Sequence, residues 1–136
     1  MTARFLDTSG WFAALSPKEA KHRAAHAAYR AWIEGGDDLV TTNLVVAEMQ
    51  ILLMRFRGAD EGPRFMDSLY KDPSHEVVFV DRALERTAVD HWLRRYRDHP
   101  LSLADAVSFE VMRSRGIRQA LALDEHFELA GFDVLP

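Results

Sequence analysis

One transition recurs along this chain and limits what it can fold into: a short apolar run stops on a carboxylate, and a helical pattern begins at once. The first instance is Ala3-Arg4-Phe5-Leu6-Asp7-Thr8-Ser9 and the last is Gln119-Ala120-Leu121-Ala122-Leu123-Asp124. Between them lie two further runs, Leu39-Val40-Thr41-Thr42 and Glu76-Val77-Val78-Phe79-Val80-Asp81. Short runs with consecutive apolar residues predict strands buried on both faces, as in a parallel sheet covered by helices. Parallel strands need crossover connections, ordinarily helical, so the fold class is α/β with a parallel sheet and helices on both faces. Ligands of such sheets bind outside the carboxyl ends of the strands, and an acid placed there is a candidate for chemistry.

The segments between the strands carry helical spacing. Residues 9–15 predict a short helix. Ser16-Pro17 reads as an N-cap with Pro at the first helical position, opening a helix over residues 17–34 that Gly35-Gly36 stops. Asn43 is expected to cap a helix through Val45, Val46, Met49, Leu52, Leu53 and Phe56. Further helices are expected over residues 60–70 and 82–97, then from Ser102 to Gly116, then over 125–130, with a closing strand at 132–135. His22 and His26 stand four apart, a spacing suited to a metal but lacking a third ligand.

Composition excludes several classes. At 136 residues, 48% hydrophobic and 28% charged, the chain is ordinary globular material, and one domain over residues 1–136 is expected. The absence of cysteine rules out disulfides and Cys-based zinc sites and fits a reducing cytoplasm. No apolar run approaches the roughly 20 residues that span a bilayer, so a cytoplasmic protein without membrane attachment is expected. A net charge of -4 argues against a globally basic nucleic-acid coat but leaves local patches open. Arg55, Arg64 and Arg113 are the candidate phosphate contacts, whereas Arg57, Arg97 and Arg115 read as helix-end residues that complement the dipole. Trp11 and Phe127 read as core rather than as base-stacking platforms.

Four acids carry the chemistry. Asp7 and Asp124 each end an expected strand, and Glu48 and Asp105 lie near the starts of helices, so all four can project from one sheet edge. Each also has a plainer explanation: Asp7 and Asp124 as N-caps, Ser102-x-x-Asp105 as a capping box, and Glu48 as a rim residue paired with an arginine. Brought together, the four repel one another unless a cation shares them, and a hard ion such as Mg2+ or Mn2+ suits oxygen ligands. With no cysteine nucleophile and no phosphate-cradling glycine loop, phosphodiester hydrolysis by metal-activated water best uses this set. Asp81, which also precedes a helix, has no such companions and reads as a plain N-cap.

Four motifs in order, Phe5-Leu6-Asp7-Thr8-Ser9, Thr42-Asn43-Leu44-Val45-Val46-Ala47-Glu48, Leu101-Ser102-Leu103-Ala104-Asp105-Ala106 and Ala122-Leu123-Asp124-Glu125-His126-Phe127, resemble the PIN domain, specifically the VapC-type toxins of bacterial toxin–antitoxin modules. The resemblance covers essentially the whole chain. It implies a five-stranded sheet in the order 3-2-1-4-5 and an acidic Mg2+ or Mn2+ site made by Asp7, Glu48, Asp105 and Asp124. It further implies supporting hydroxyls at Thr8, Ser9 and Ser102, an RNA substrate, a cognate antitoxin covering the cleft, and a homodimer. Trp11, Phe12, Trp32 and the segment from Met49 to Phe56 are expected to supply apolar surface for that antitoxin. Ala122 and Leu123 depart from the pattern, since many relatives carry a hydroxyl before the fourth acid. Two other classes compete: a PIN-like RNA- or protein-binding module without turnover, and a phosphorylated receiver domain. The second expects paired acids after the first strand and a lysine near the end, but the last lysine here is Lys71.

Overall fold

The computed structural model describes residues 2–136 and contains five strands: β1 (Ala3–Leu6), β2 (Asp38–Thr42), β3 (His75–Val78), β4 (Gln119–Leu121) and β5 (Asp133–Leu135). All pair in parallel, in the spatial order 3-2-1-4-5 expected from the sequence. The central strand sets the register, with Phe5 opposite both Val40 and Ala120, and Leu6 opposite Leu121. Phe5, Leu6, Leu39, Ala120 and Leu121 are completely buried, as consecutive apolar residues in a sheet covered on both faces must be.

The strand order and the right-handed crossover rule distribute the helices. From β1 to β2 to β3 the chain moves one way across the sheet, which puts α1 (Thr8–Leu15), α2 (His22–Glu34), α3 (Asn43–Arg57) and α4 (Glu61–Lys71) on one face. From β3 it returns past β1 to β4 and β5, which puts α5 (Arg82–Ala88), α6 (Leu103–Arg115) and α7 (His126–Leu129) on the other. The packing agrees: α1 contacts α2 and α3, α3 contacts α4, and α6 contacts α5 and α7. Each face has its own aromatic core. Trp11 meets Phe65 edge-on at 5.0 Å on the first, and Phe109 meets Phe127 at 4.8 Å and Trp92 at 5.2 Å on the second.

Several boundaries differ from the sequence expectation, each for a local reason. Residues 17–21 form turns, and α2 starts at His22 rather than at Pro17. His22 and His26 use this geometry to place Nδ1 2.8 Å from the Ala13 carbonyl and 3.2 Å from that of Ala14, satisfying the end of α1 rather than holding a metal. Thr42, not Asn43, caps α3: its extended backbone continues the strand while its hydroxyl accepts from the Val45 amide. Asn43 instead accepts from the Val80 amide and ties down the loop after β3. That strand ends at Val78, short of Asp81, which nonetheless caps α5 through the Leu84 amide as expected.

The helix expected over 82–97 stays α-helical only to Ala88 and then widens into a π-helical turn, Val89–Leu93. The buried Glu110 lies against this turn. It accepts from His91 Nδ1 at 3.0 Å, Trp92 Nε1 at 3.1 Å and Arg113, so two adjacent residues of the turn reach one carboxylate. Trp11, Phe12 and Trp32 are at most 6% exposed and belong to the core, which corrects the expectation that they offer docking surface. On α3 it is Ile51, Met54 and Phe56 that face solvent.

Gly10 brings the two halves of the sheet edge together. A Cβ at this position would lie 2.4 Å from the carbonyl carbon and oxygen of Leu121 and 2.6 Å from the Ala122 amide nitrogen, all backbone atoms that cannot yield. Only glycine lets α1 descend onto the end of β4. Gly10→Ala is therefore expected to cost about 3 kcal/mol or more, at the upper end of overpacking penalties. Urea unfolding measures this, and a loss below about 0.5 kcal/mol would contradict the close approach.

Candidate metal centre

Asp7 stands one residue past β1, at the carboxyl end of the central strand, and is only 7% exposed. It is also the N-cap of α1, accepting from the Ser9 amide at 3.3 Å and from Ser9 Oγ at 2.6 Å. Its own amide donates to the Leu121 carbonyl at 3.1 Å, which carries the β1–β4 ladder up to the acid. Ser9 Oγ in turn accepts from the Leu123 amide at 2.9 Å. One hydroxyl therefore joins Asp7 to the loop that delivers Asp124. The missing hydroxyl before the fourth acid is offset from α1.

The other acids are held in the same manner. Glu48 lies in the second turn of α3, is exposed, and accepts from Thr8 Oγ1 at 2.8 Å rather than from an arginine. Asp105 occupies the third position of α6 in a reciprocal capping box, with Ser102 Oγ accepting from its amide at 3.0 Å and its Oδ2 accepting from the Ser102 amide at 3.4 Å. Asp124 Oδ1 accepts from the His126 amide at 2.9 Å. Among the described residues, no lysine or arginine forms a salt bridge with any of the four.

Electrostatics record the crowding. Burial pushes the Asp7 carboxyl up from 3.8 to about 7 despite the Ser9 hydrogen bonds, and the charges of Asp105 and Glu48 add to the rise. Asp105 is raised as well, first by burial and then by Asp124, against the hydrogen bonds of Ser102 and the proximity of His126. Asp7 thus senses Asp105 and Glu48, while Asp105 senses Asp124, so the four acids form one electrostatic group.

Within that group Asp105, Asp124 and His126 each offer a donor atom, and the three lie within 4.8 Å of one another. His126 Nδ1 sits 3.2 Å from Asp124 Oδ1 and 3.6 Å from Asp105 Oδ2, is buried, and has no hydrogen-bond partner. The donor set and this orphaned nitrogen both fit a divalent cation. His126 received no role in the sequence analysis. Its signal was there, an imidazole two residues after the fourth acid, but only the return of α7 toward α6 brings it beside Asp105.

The arginines fare differently. Arg113 sits in the last turn of α6, eight residues beyond Asp105 and so about 12 Å along the helix, with its guanidinium engaged by Glu110. Arg64 is exposed and lies 3.6 Å from Glu61, and Arg55 stands exposed in the last turn of α3. Arg57, at the end of α3, donates to the Leu15 carbonyl at the end of α1.

Comparison with known proteins agrees with this architecture. The family model described as PIN domain matches residues 4–133. The chain is 34% identical over 128 residues to "23S rRNA-specific endonuclease VapC20" from two strains of Mycobacterium tuberculosis, with 94% of each chain covered. The crystal structure of Mycobacterium tuberculosis VapC20, described as a sarcin-ricin loop cleaving toxin, superposes with a TM-score of 0.83 over 98% of this chain and 99% of that one. VapBC2 from Rickettsia felis, bound to a promoter DNA fragment, matches with a TM-score of 0.70 at 8% identity, covering 99% of this chain and 100% of that one. FitAcB from Neisseria gonorrhoeae matches at 0.66 and 15% identity, covering 98% and 96%. These last two likenesses concern the fold alone.

The raised Asp7 carboxyl has a measurable consequence in the metal-free protein. Between 3.8 and about 7 the folded chain holds a proton on Asp7 that the unfolded chain has released. Stability from this group is therefore full at low pH and is lost as pH rises toward 7. Asp7→Asn removes the titration. In EDTA the variant is expected to gain on wild type from pH 5 to about pH 7 by on the order of 1–3 kcal/mol and then to level off toward pH 8. A difference that stays flat with pH in paired urea titrations would show that Asp7 ionises normally.

Proposed function

The chain belongs to the PIN-domain family, and from that membership we propose that it is the ribonuclease toxin of a type II toxin–antitoxin pair, hydrolysing RNA phosphodiester bonds with Mg2+ or Mn2+ as cofactor. The observation that carries the proposal is the set of four carboxylates at one sheet edge, fixed by hydroxyls and amides with no lysine or arginine to neutralise them. Natural proteins retain such repulsion where a cation is to be held.

Asp7, Glu48, Asp105 and Asp124 are the proposed ligands and catalytic acids, with Thr8, Ser9 and Ser102 as positioning residues. A divalent ion bound there supplies the Lewis acidity that activates water at neutral pH and offsets charge building on the phosphate. The chain's own contribution is orientation. Thr8 Oγ1 fixes the exposed Glu48 at the mouth, and Ser9 Oγ fixes Asp7 at the floor. Burial and the neighbouring acids hold the Asp7 carboxyl up at about 7, and a bound cation would favour its ionised form.

The substrate proposed is structured ribosomal RNA, the sarcin–ricin loop in particular, because the relative named for that activity matches this chain over 94% of both lengths. A cognate antitoxin is the proposed protein partner, with Ile51, Met54 and Phe56 on α3 as available apolar surface, and a homodimer is the proposed assembly. A cytoplasmic location accords with these roles. No helix among the described residues is long and apolar enough to cross a membrane.

Purified wild type is expected to cut intact ribosomes, and a short hairpin carrying the loop, with Mn2+ or Mg2+ and not with EDTA. Asp7→Asn, Asp105→Asn and Asp124→Asn should each lose on the order of a hundredfold or more while remaining folded. Cleavage that survives all three substitutions would remove the acid site from the mechanism, and equal cleavage of a scrambled hairpin would remove the proposed target.

A further inference from the structure

We propose that His126 is itself a ligand of the divalent cation, through Nδ1, and that it shifts the preference of the site toward Mn2+ over Mg2+. The inference rests on the metal-dependent ribonuclease proposed above and concerns a residue outside the four acids.

The placement of the ring is set by the core. Phe127, the next residue, is fully buried and packs edge-on against Phe109 at 4.8 Å, with Phe5 at 6.3 Å on its other side. Docking Phe127 there pins the start of α7 beneath the acid edge. The His126 amide then donates to Asp124 Oδ1 at 2.9 Å, so residue and acid are fixed as one unit.

The imidazole nitrogen is the unusual atom. Nδ1 lies 3.2 Å from the same Asp124 oxygen and 3.6 Å from Asp105 Oδ2, yet it is aligned for a hydrogen bond with neither and is shielded from solvent. A buried polar atom without a partner is costly. That cost disappears when the nitrogen and both carboxylates face a shared cation, and the donors already lie within the 4.8 Å that one ion can bridge.

The chemistry of the donor set gives the preference. Mg2+ favours an all-oxygen environment, whereas imidazole is a good ligand for the later divalent ions and binds Mn2+ more readily than Mg2+. If Asp105, Asp124 and His126 hold the ion directly and Asp7 and Glu48 act on it through bound water, positions stay open for water and a phosphate oxygen, as a hydrolytic site requires.

Pulsed electron paramagnetic resonance of the wild-type protein loaded with Mn2+ tests this directly, because a coordinated imidazole imprints 14N modulation on the Mn2+ signal. The modulation is expected in wild type and absent in His126→Ala. By calorimetry the variant should bind Mn2+ at least roughly tenfold more weakly, the lower end of what even an outer hydrogen-bond partner of a metal ligand costs. Its Mg2+ affinity should fall by a smaller factor. A wild-type Mn2+ signal without 14N modulation, or modulation that persists in the variant, would overturn the assignment. The wild-type spectrum decides the main point alone, so a poorly folded variant does not shelter the proposal. Wild type that cleaves RNA with Mn2+ but lacks the modulation would leave the ribonuclease standing and remove His126 from the site. Wild type that neither binds Mn2+ nor cleaves with any divalent ion would remove both.

Discussion

Repulsion among carboxylates at the end of the central strand is the constraint to which the rest of the structure answers. Asp7 is nearly enclosed, Asp105 and Glu48 act on it through space, and Asp124 acts on Asp105. Lysine or arginine would relieve this strain most directly, and none forms a salt bridge with the four acids among the described residues. The chain uses neutral donors: the Ser9 hydroxyl and amide for Asp7, Thr8 for Glu48, Ser102 for Asp105 and the His126 amide for Asp124. Neutral donors orient a carboxylate without cancelling its charge. Helix N-termini add to this, since α1 and α6 begin at the acids they carry and direct the positive ends of their dipoles toward the same edge.

Capping and metal binding are thus not rival explanations for these residues. Asp7 caps α1 and Asp105 closes a capping box on α6, as the plainer assignments hold. The hydrogen bonds that cap also fix the direction of each carboxylate's remaining oxygen. Asp81 shows the difference. It caps α5 through the Leu84 amide with equally good geometry, but α5 follows an edge strand and carries the acid away from the others. What distinguishes a site from a cap is the strand to which it is attached. Between β1 and β4 the chain leaves the sheet toward opposite faces, which opens a crevice there, and Asp7 and Asp124 stand on its two sides.

The parts of this arrangement legible in the sequence were those governed by short-range chemistry or by strand order. Apolar runs marked the five strands, and the resemblance carried by the four motifs implied the 3-2-1-4-5 order that the sheet has. The losses came where tertiary contacts overrode local signals. Ser16-Pro17 is a good helix start, yet the histidine rings that close α1 set the beginning of α2 at His22. The π-helical turn at Val89–Leu93 answers to Glu110, an acid buried in another helix, and no periodicity within 82–97 could announce it. His126 escaped notice because its partners come from α6 and from the loop before α7, and because a lone histidine at a helix start is ordinarily a solvated residue. Trp11, Phe12 and Trp32 are large enough to have served a docking surface, but the helices that cover the sheet bury all three.

Charge bears on how such a chain would meet RNA. Seven of its 17 lysines and arginines pair with acids: Arg4 with Asp37, Arg30 with Glu34, Arg64 with Glu61, Arg86 and Arg94 with Asp90, Arg113 with Glu110, and Arg115 with Glu76. A net charge of -4 adds repulsion at long range. Affinity built on phosphate contacts alone would require several unpaired lysines or arginines tracking the backbone, and it would apply to any RNA. The acidic crevice itself offers no such attraction, since no lysine or arginine among the described residues forms a salt bridge with its four acids. A phosphate would be received there only where a cation offsets the negative charge. Under that restriction a folded RNA would have the advantage, since rigid RNA presents a phosphate in place and a flexible strand must be ordered first.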